Sequence, residues 1–116
     1  MFIAATVLSV LLAFAFAGAA AQKLTAATAA VDTSRRFGFP FSRYRLVALP
    51  ELAGALGLVA GIWLHRLGVA AGLGLTLLML LALLFHARAR DKPPLMIPAA
   101  VLGLLSAVVA WLWAGI

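Results

Sequence analysis

Four long apolar runs joined by short connections dominate this chain of 116 residues. They occupy roughly residues 1–21, 44–63, 67–86 and 95–116. Each approaches the ~20 residues that carry a helix across a bilayer. Once the runs are removed, too little chain is left for a second domain. The sequence therefore predicts one membrane domain over 1–116, an all-α four-helix bundle.

Composition closes the alternatives. The chain is 66% hydrophobic and only 10% charged, whereas a soluble domain carries about 25% charged residues. Its net charge of +6 does not point to nucleic acid, because the basic residues flank apolar runs instead of forming a basic face with exposed aromatics. Membrane lipids are the partners that such flanks suit. Cysteine is absent, which removes thiol relays, disulfides and thiolate metal sites. The two histidines, expected on opposite faces, and one intramembrane carboxylate give no metal shell.

The charges also predict orientation. Of nine basic residues, Lys23, Arg35, Arg36, Arg43, Arg45, Arg88, Arg90 and Lys92 fall beside or within the first and third connections. Only Arg66 falls on the other side. The positive-inside rule then places 22–43 and 87–94 in the cytoplasm and both termini outside. Trp63, Trp111 and Trp113 fall at the expected outer ends, as an interfacial aromatic belt requires. The first run ends in small residues resembling a signal-peptidase site, but no Lys or Arg precedes it, so it is read as a retained span.

Within the first connection, Leu24, Ala27 and Val31 recur at helical spacing, which predicts a short interfacial helix. Gly38 and Pro40 end it, and Phe37, Phe39 and Phe41 are placed to dip into the interface. Pro50 predicts a kink early in the second span. His65 and Arg66 read as the tight turn before the third span. Pro93 and Pro94 read as loop, and Pro98 as first-turn proline. Small residues recur along each span: Ala5, Ser9, Ala13, Ala17 and Ala21 in the first, Gly54, Gly57 and Gly61 in the second, Gly68 and Gly72 in the third, and Ala99, Gly103, Ala107 and Ala110 in the fourth. They allow close helix approach in lipid.

One residue breaks the apolar pattern. Glu51 lies inside the second run, about 9 Å above its cytoplasmic end at ~1.5 Å per residue. A carboxylate there is costly and marks a functional site by default. Lys23 ends the first span on the same side, and His86 ends the third. Arg45 and Arg88 are close in sequence to Glu51 and His86. These five residues form the candidate ligand-binding set. Two readings stand: a polar pocket for a headgroup or small ligand, or an ion pair that only pins helices together. No nucleophile–base pair is placed for catalysis.

The words Leu49-Pro50-Glu51-Leu52-Ala53-Gly54-Ala55 and His86-Ala87-Arg88, with Lys23-Leu24, Gly38-Phe39-Pro40 and Asp91, resemble the DoxX-like family of small four-helix bacterial membrane proteins. The resemblance implies a polar site built from Lys23, Glu51 and His86, in the bacterial inner membrane. The family's name comes from a subunit of a thiosulfate–quinone oxidoreductase. This chain departs from a common ending in which glycine precedes the aspartate, since Arg90 stands there, and it lacks cysteine for direct sulfur chemistry. Two functions follow as expectations. One is a non-catalytic accessory or assembly subunit of a larger, respiratory or redox, membrane complex, with other subunits or copies of itself as partners. The alternative is a quinone- or lipid-binding protein in electron transfer, with quinone bound non-covalently. An oligomeric transporter is the weaker third.

Overall fold

A computed structural model describes residues 1–116. Six α-helices follow one another without strands: α1 (Phe2–Leu24), α2 (Thr28–Phe37), α3 (Phe41–Tyr44), α4 (Ala48–Ala60), α5 (His65–Arg88) and α6 (Pro93–Ala114). A 3-10 turn, Arg45–Val47, joins α3 to α4. Three helices, α1, α5 and α6, are each long and apolar enough to cross a membrane. Around a shared core, α1 packs on α4, α4 on α5, α5 on α6, and α6 back on α1.

The inward stripes explain the packing. On α1 the buried positions are Ala5, Ser9, Leu12, Ala13, Phe16, Ala20 and Lys23. Their spacing of three and four keeps to one face of a 3.6-residue helix. A strict four-residue stripe drifts off that face, so Ala20 is buried where Ala21 is exposed. Lys23 is the last member of the stripe and therefore points inward. On α4 the stripe is Ala48, Glu51, Gly54, Ala55 and Leu58, which carries Glu51 inward by register. On α5 it is Gly68, Gly72, Leu75 and Met79, and the same spacing continues to His86 at the site end.

Close approach is real at several glycines. A Cβ on Gly61 would lie 2.5 Å from the Gly68 Cα, and one on Gly72 would lie 2.8 Å from the Ala110 Cβ. The outside of the bundle is apolar: Phe14 is 75% exposed and Leu104 is 67% exposed, as lipid contact requires.

Several local expectations are corrected. The second helical segment is not one helix from 44 to 63. Pro50 cannot donate to the Leu46 carbonyl, and its ring crowds that position. The chain responds one turn earlier, with the 3-10 turn at Arg45–Val47. His65 and Arg66 belong to α5, and the turn lies before them, where Leu64 is extended. Pro93 and Pro94 open α6 at its first two positions, where a missing N–H is costless. Pro98 consequently falls in the second turn of α6. Trp63 and Trp111 are exposed, but Trp113 is 1% exposed and fills the core. Its Nε1 donates to the Ser9 Oγ at 3.0 Å, so it is not part of an interfacial belt.

α2 packs against α1, α3 and α5, at the end of the bundle where α5 stops and α6 starts. Its buried residues are Ala30 and Ser34, not the Leu24–Ala27–Val31 face. Gly38 closes α2 at φ 81°, in the left-handed region that glycine enters freely. The Phe39 amide then reaches back to the Ser34 carbonyl at 3.0 Å. That turn folds Phe39 beneath the bundle beside Phe37.

Candidate functional site

At this end of the bundle lies a cavity of about 280 Å³. Its polar lining is Lys23, Arg43, Tyr44, Glu51 and His86. Its apolar walls include Phe37, Phe39 and Phe85, with Leu78, Met79 and Ala82 behind them. The aromatic wall is ordered by ring contacts. Phe37 stacks on Phe85 at 5.8 Å, and Phe39 meets Phe85 edge-on at 4.9 Å. Phe37 and Phe39, expected with Phe41 to dip into the interface, instead line the cavity; Phe41 does not.

Lys23 Nζ lies 2.9 Å from Glu51 Oε1. The Glu51 side chain is 3% exposed and that of Lys23 is 11% exposed. The ammonium at this distance compensates the charge of the buried carboxylate. Lys23 Nζ also sits 5.4 Å from the Tyr44 ring centre, a cation–π distance.

His86 does not meet Glu51. Its Nδ1 lies 2.6 Å from Asp91 Oδ2. Arg36 grips the same carboxylate, with Nε donating to Oδ1 at 3.0 Å and Nη2 to Oδ2 at 3.4 Å. The hydrogen bond from His86, with Arg36 adding two more and its charge, holds the Asp91 carboxyl below the usual carboxylate range. Backbone geometry brings Asp91 there. Arg90 adopts φ 54°, the Asp91 amide donates to the His86 carbonyl at 3.0 Å, and the Arg90 amide donates to the Ala87 carbonyl at 3.1 Å. This is a Schellman-type helix end, with arginine in the position that favours glycine.

Each of the five sequence candidates now has a place. Lys23, Glu51 and His86 line the cavity together. Arg45 lies outside it: its guanidinium donates to the Leu24 carbonyl at 2.6 Å and the Lys23 carbonyl at 3.4 Å. It caps α1, whose last carbonyls have no helical partner. Arg88 lies over the Phe85 ring at 5.6 Å and does not line the cavity. The sequence reading missed Arg36, Arg43, Tyr44 and Asp91 as site residues. The one available signal was Asp91, five residues beyond His86 across a helix end.

The family profile that matches this sequence covers residues 7–109 and describes the DoxX-like family. The chain belongs to the DoxX-like family. Neither a curated protein nor a solved structure matches it. The match spans all four packed helices and both walls of the cavity. The position before Asp91 is left-handed in this chain, a conformation that glycine enters freely. Arg90 reaches the same turn against an intrinsic cost.

Proposed function

We propose that this DoxX-like protein binds a ring-headed amphipathic lipid of the quinone class in the cavity beside Glu51. The observation that carries this reading is the cavity's division of labour. Aromatic and aliphatic walls meet a small set of convergent polar groups, as ligand sites do. At about 280 Å³, the volume suits a head group, with a tail left to run among the lipid-facing helices. The residues fit such a head. Phe37, Phe39 and Phe85 present ring faces and edges. Lys23, Arg43 and Tyr44 offer donors to carbonyl oxygens, and Glu51 and His86 can accept from hydroxyls. A bound quinone would supply two-electron, two-proton redox chemistry; the chain's part is to bind, orient and hydrogen-bond the head.

The same reading includes four spans in the bacterial inner membrane, with both termini outside. Its support is the contiguous helical segment from Phe41 to Ala60. At ~1.5 Å per residue it is about 30 Å long. The charge bias then puts the cavity at the cytoplasmic surface. A role as a non-catalytic subunit of a larger membrane complex is the second proposal. A second, wholly apolar groove of about 250 Å³ between α1 and α4, lined by Ala13, Ala17, Leu52 and Ala55 among others, favours it. Purification from native membranes with intact-complex mass spectrometry tests it, and recovery as a free monomer counts against it.

Photolabelling tests the ligand. With the protein in nanodiscs, an azido-benzoquinone carrying a decyl tail should label Phe37, Tyr44 or Phe85 and be competed by the unlabelled compound. Label spread over outward residues such as Phe14 and Leu77, without competition, would refute the binding site.

A further inference from the structure

One polar atom in the cavity has its hydrogen-bonding character fixed by the chain. Asp91, as a carboxylate, only accepts hydrogen bonds. With its Oδ2 2.6 Å from His86 Nδ1, the neutral ring must carry its proton on Nδ1. The arrangement is held from behind. Arg36 pins both carboxylate oxygens, the Asp91 side chain is 3% exposed, and the left-handed turn at Arg90 fixes where the carboxylate sits. The ring itself stands edge-on to Phe37 at 4.9 Å and 89°. Nε2 is left as a bare acceptor on a ring that lines the cavity, and no side chain donates to it.

The other polar groups of the cavity do not discriminate between ligand forms. The Lys23–Glu51 pair offers a donor and an acceptor together. Arg43 donates and Tyr44 does both. Each serves a carbonyl or a hydroxyl equally well. Only His86 offers an acceptor with no donor beside it, and an acceptor among apolar walls is costly when a ligand covers it without donating.

We propose that the cavity selects a hydroxyl-bearing ring head, the hydroquinone or phenol class, over its carbonyl-only quinone counterpart, with the ligand O–H donating to His86 Nε2. The inference rests on the reading of the cavity as a lipid-ligand site. Asp91 and Arg36 are positioning residues: they touch no ligand and act by setting the tautomer.

The Asp91→Asn variant makes this specific. Arg36 Nε still needs an acceptor, so the new carboxamide turns its oxygen to Arg36. Its NH2 then faces His86 Nδ1 and donates, which moves the ring proton to Nε2. The acceptor becomes a donor, and the cavity should now favour the quinone.

The test measures binding of three probes to the full chain in nanodiscs, under argon at pH 8. They are a decyl-substituted benzohydroquinone, its oxidised benzoquinone, and its dimethyl ether. The native protein should bind the hydroquinone about tenfold more tightly than either other probe. Asp91→Asn should abolish or invert that preference. His86→Phe keeps a ring against Phe37 but has no acceptor, and it should bind hydroquinone and ether alike. Nitrogen-15 NMR of the ligand-free protein, with His65→Phe leaving His86 as the sole histidine, should show the Nδ1–H tautomer. Equal binding of all three probes by the native protein would overturn the selection while leaving the cavity a lipid site. So would a preference that survives in both variants, or a His86 ring protonated at Nε2. Binding of no probe would remove the lipid-site reading and this inference with it.

Discussion

The Lys23–Glu51 pair gives an asymmetric mutational signature. At 2.9 Å and an effective dielectric constant of about 20, the gross attraction is about 6 kcal/mol. Desolvation of both ions offsets much of it, and removing one partner of a buried pair costs about 3–5 kcal/mol because the other charge is stranded. The two strandings differ. Lys23 is the penultimate residue of α1 and has a long side chain, already 11% exposed. Freed of Glu51, it can turn outward and reach headgroups. Glu51 is short, 3% exposed, and lies on the inward face of α4; no other cation of the chain pairs with it. Glu51→Gln should therefore cost about 1–2 kcal/mol, and Lys23→Met about 3–5 kcal/mol. The double variant strands nothing and should cost little more than Glu51→Gln, so the coupling should approach the whole Lys23→Met cost, about 3–4 kcal/mol. Reversible unfolding in bicelles by steric trapping measures all three. Additivity within about 0.5 kcal/mol, or a Glu51→Gln cost exceeding that of Lys23→Met, would refute the ion pair as described.

Other sites give sharper, smaller tests by the same unfolding measurement. Gly61→Ala places a Cβ 2.5 Å from the Gly68 backbone and should cost about 1–3 kcal/mol, whereas Gly74→Ala meets nothing within 4 Å and should gain up to about 1 kcal/mol. Trp113→Phe leaves the buried Ser9 hydroxyl without its indole donor and should cost about 1–3 kcal/mol. Arg90→Gly relieves a left-handed non-glycine residue and should stabilise by about 1 kcal/mol, with His86 and Asp91 unmoved. The Asp91 carboxyl titrates below its ordinary value because His86 and Arg36 hold its charged form. Its contribution is thus complete above about pH 5 and is lost as pH falls through the lowered value. Amide hydrogen-exchange protection across α2, corrected for the intrinsic rate at each pH, should fall only in acid, and protection unchanged there would show that α2 is not held by this contact.

What the sequence revealed divides by the range of the interaction. Helical periodicity is local, so the four apolar runs and the small-residue stripes could be read from residue spacing, and the cost of a carboxylate in lipid singled out Glu51. Lys23 was legible only as the cation that ends the first span on the side of Glu51; the strict stripe from Ala5 to Ala21 misses it, and the spacing through Phe16 and Ala20 is what turns it inward. Helix boundaries were less so, because Pro50 acts on the carbonyl one turn back and displaces the irregularity to Arg45–Val47. Trp113 was misplaced because its position near a helix end matches an interfacial tryptophan. Its burial depends on Gly68 of a different helix leaving room and on Ser9 of a third supplying an acceptor. The site divides in the same way. Arg45 and Arg88 were grouped with Glu51 and His86 by sequence proximity, but a guanidinium goes where acceptors or ring faces are free. Arg45 found the open carbonyls at the end of α1, and Arg88 found Phe85. Asp91 reaches His86 only through the left-handed turn at Arg90, a conformation that an arginine does not advertise. Arg36 reaches Asp91 from 55 residues away, through the packing of α2 against α5. The groups that set the chemistry of His86 are therefore the ones that no periodicity could place.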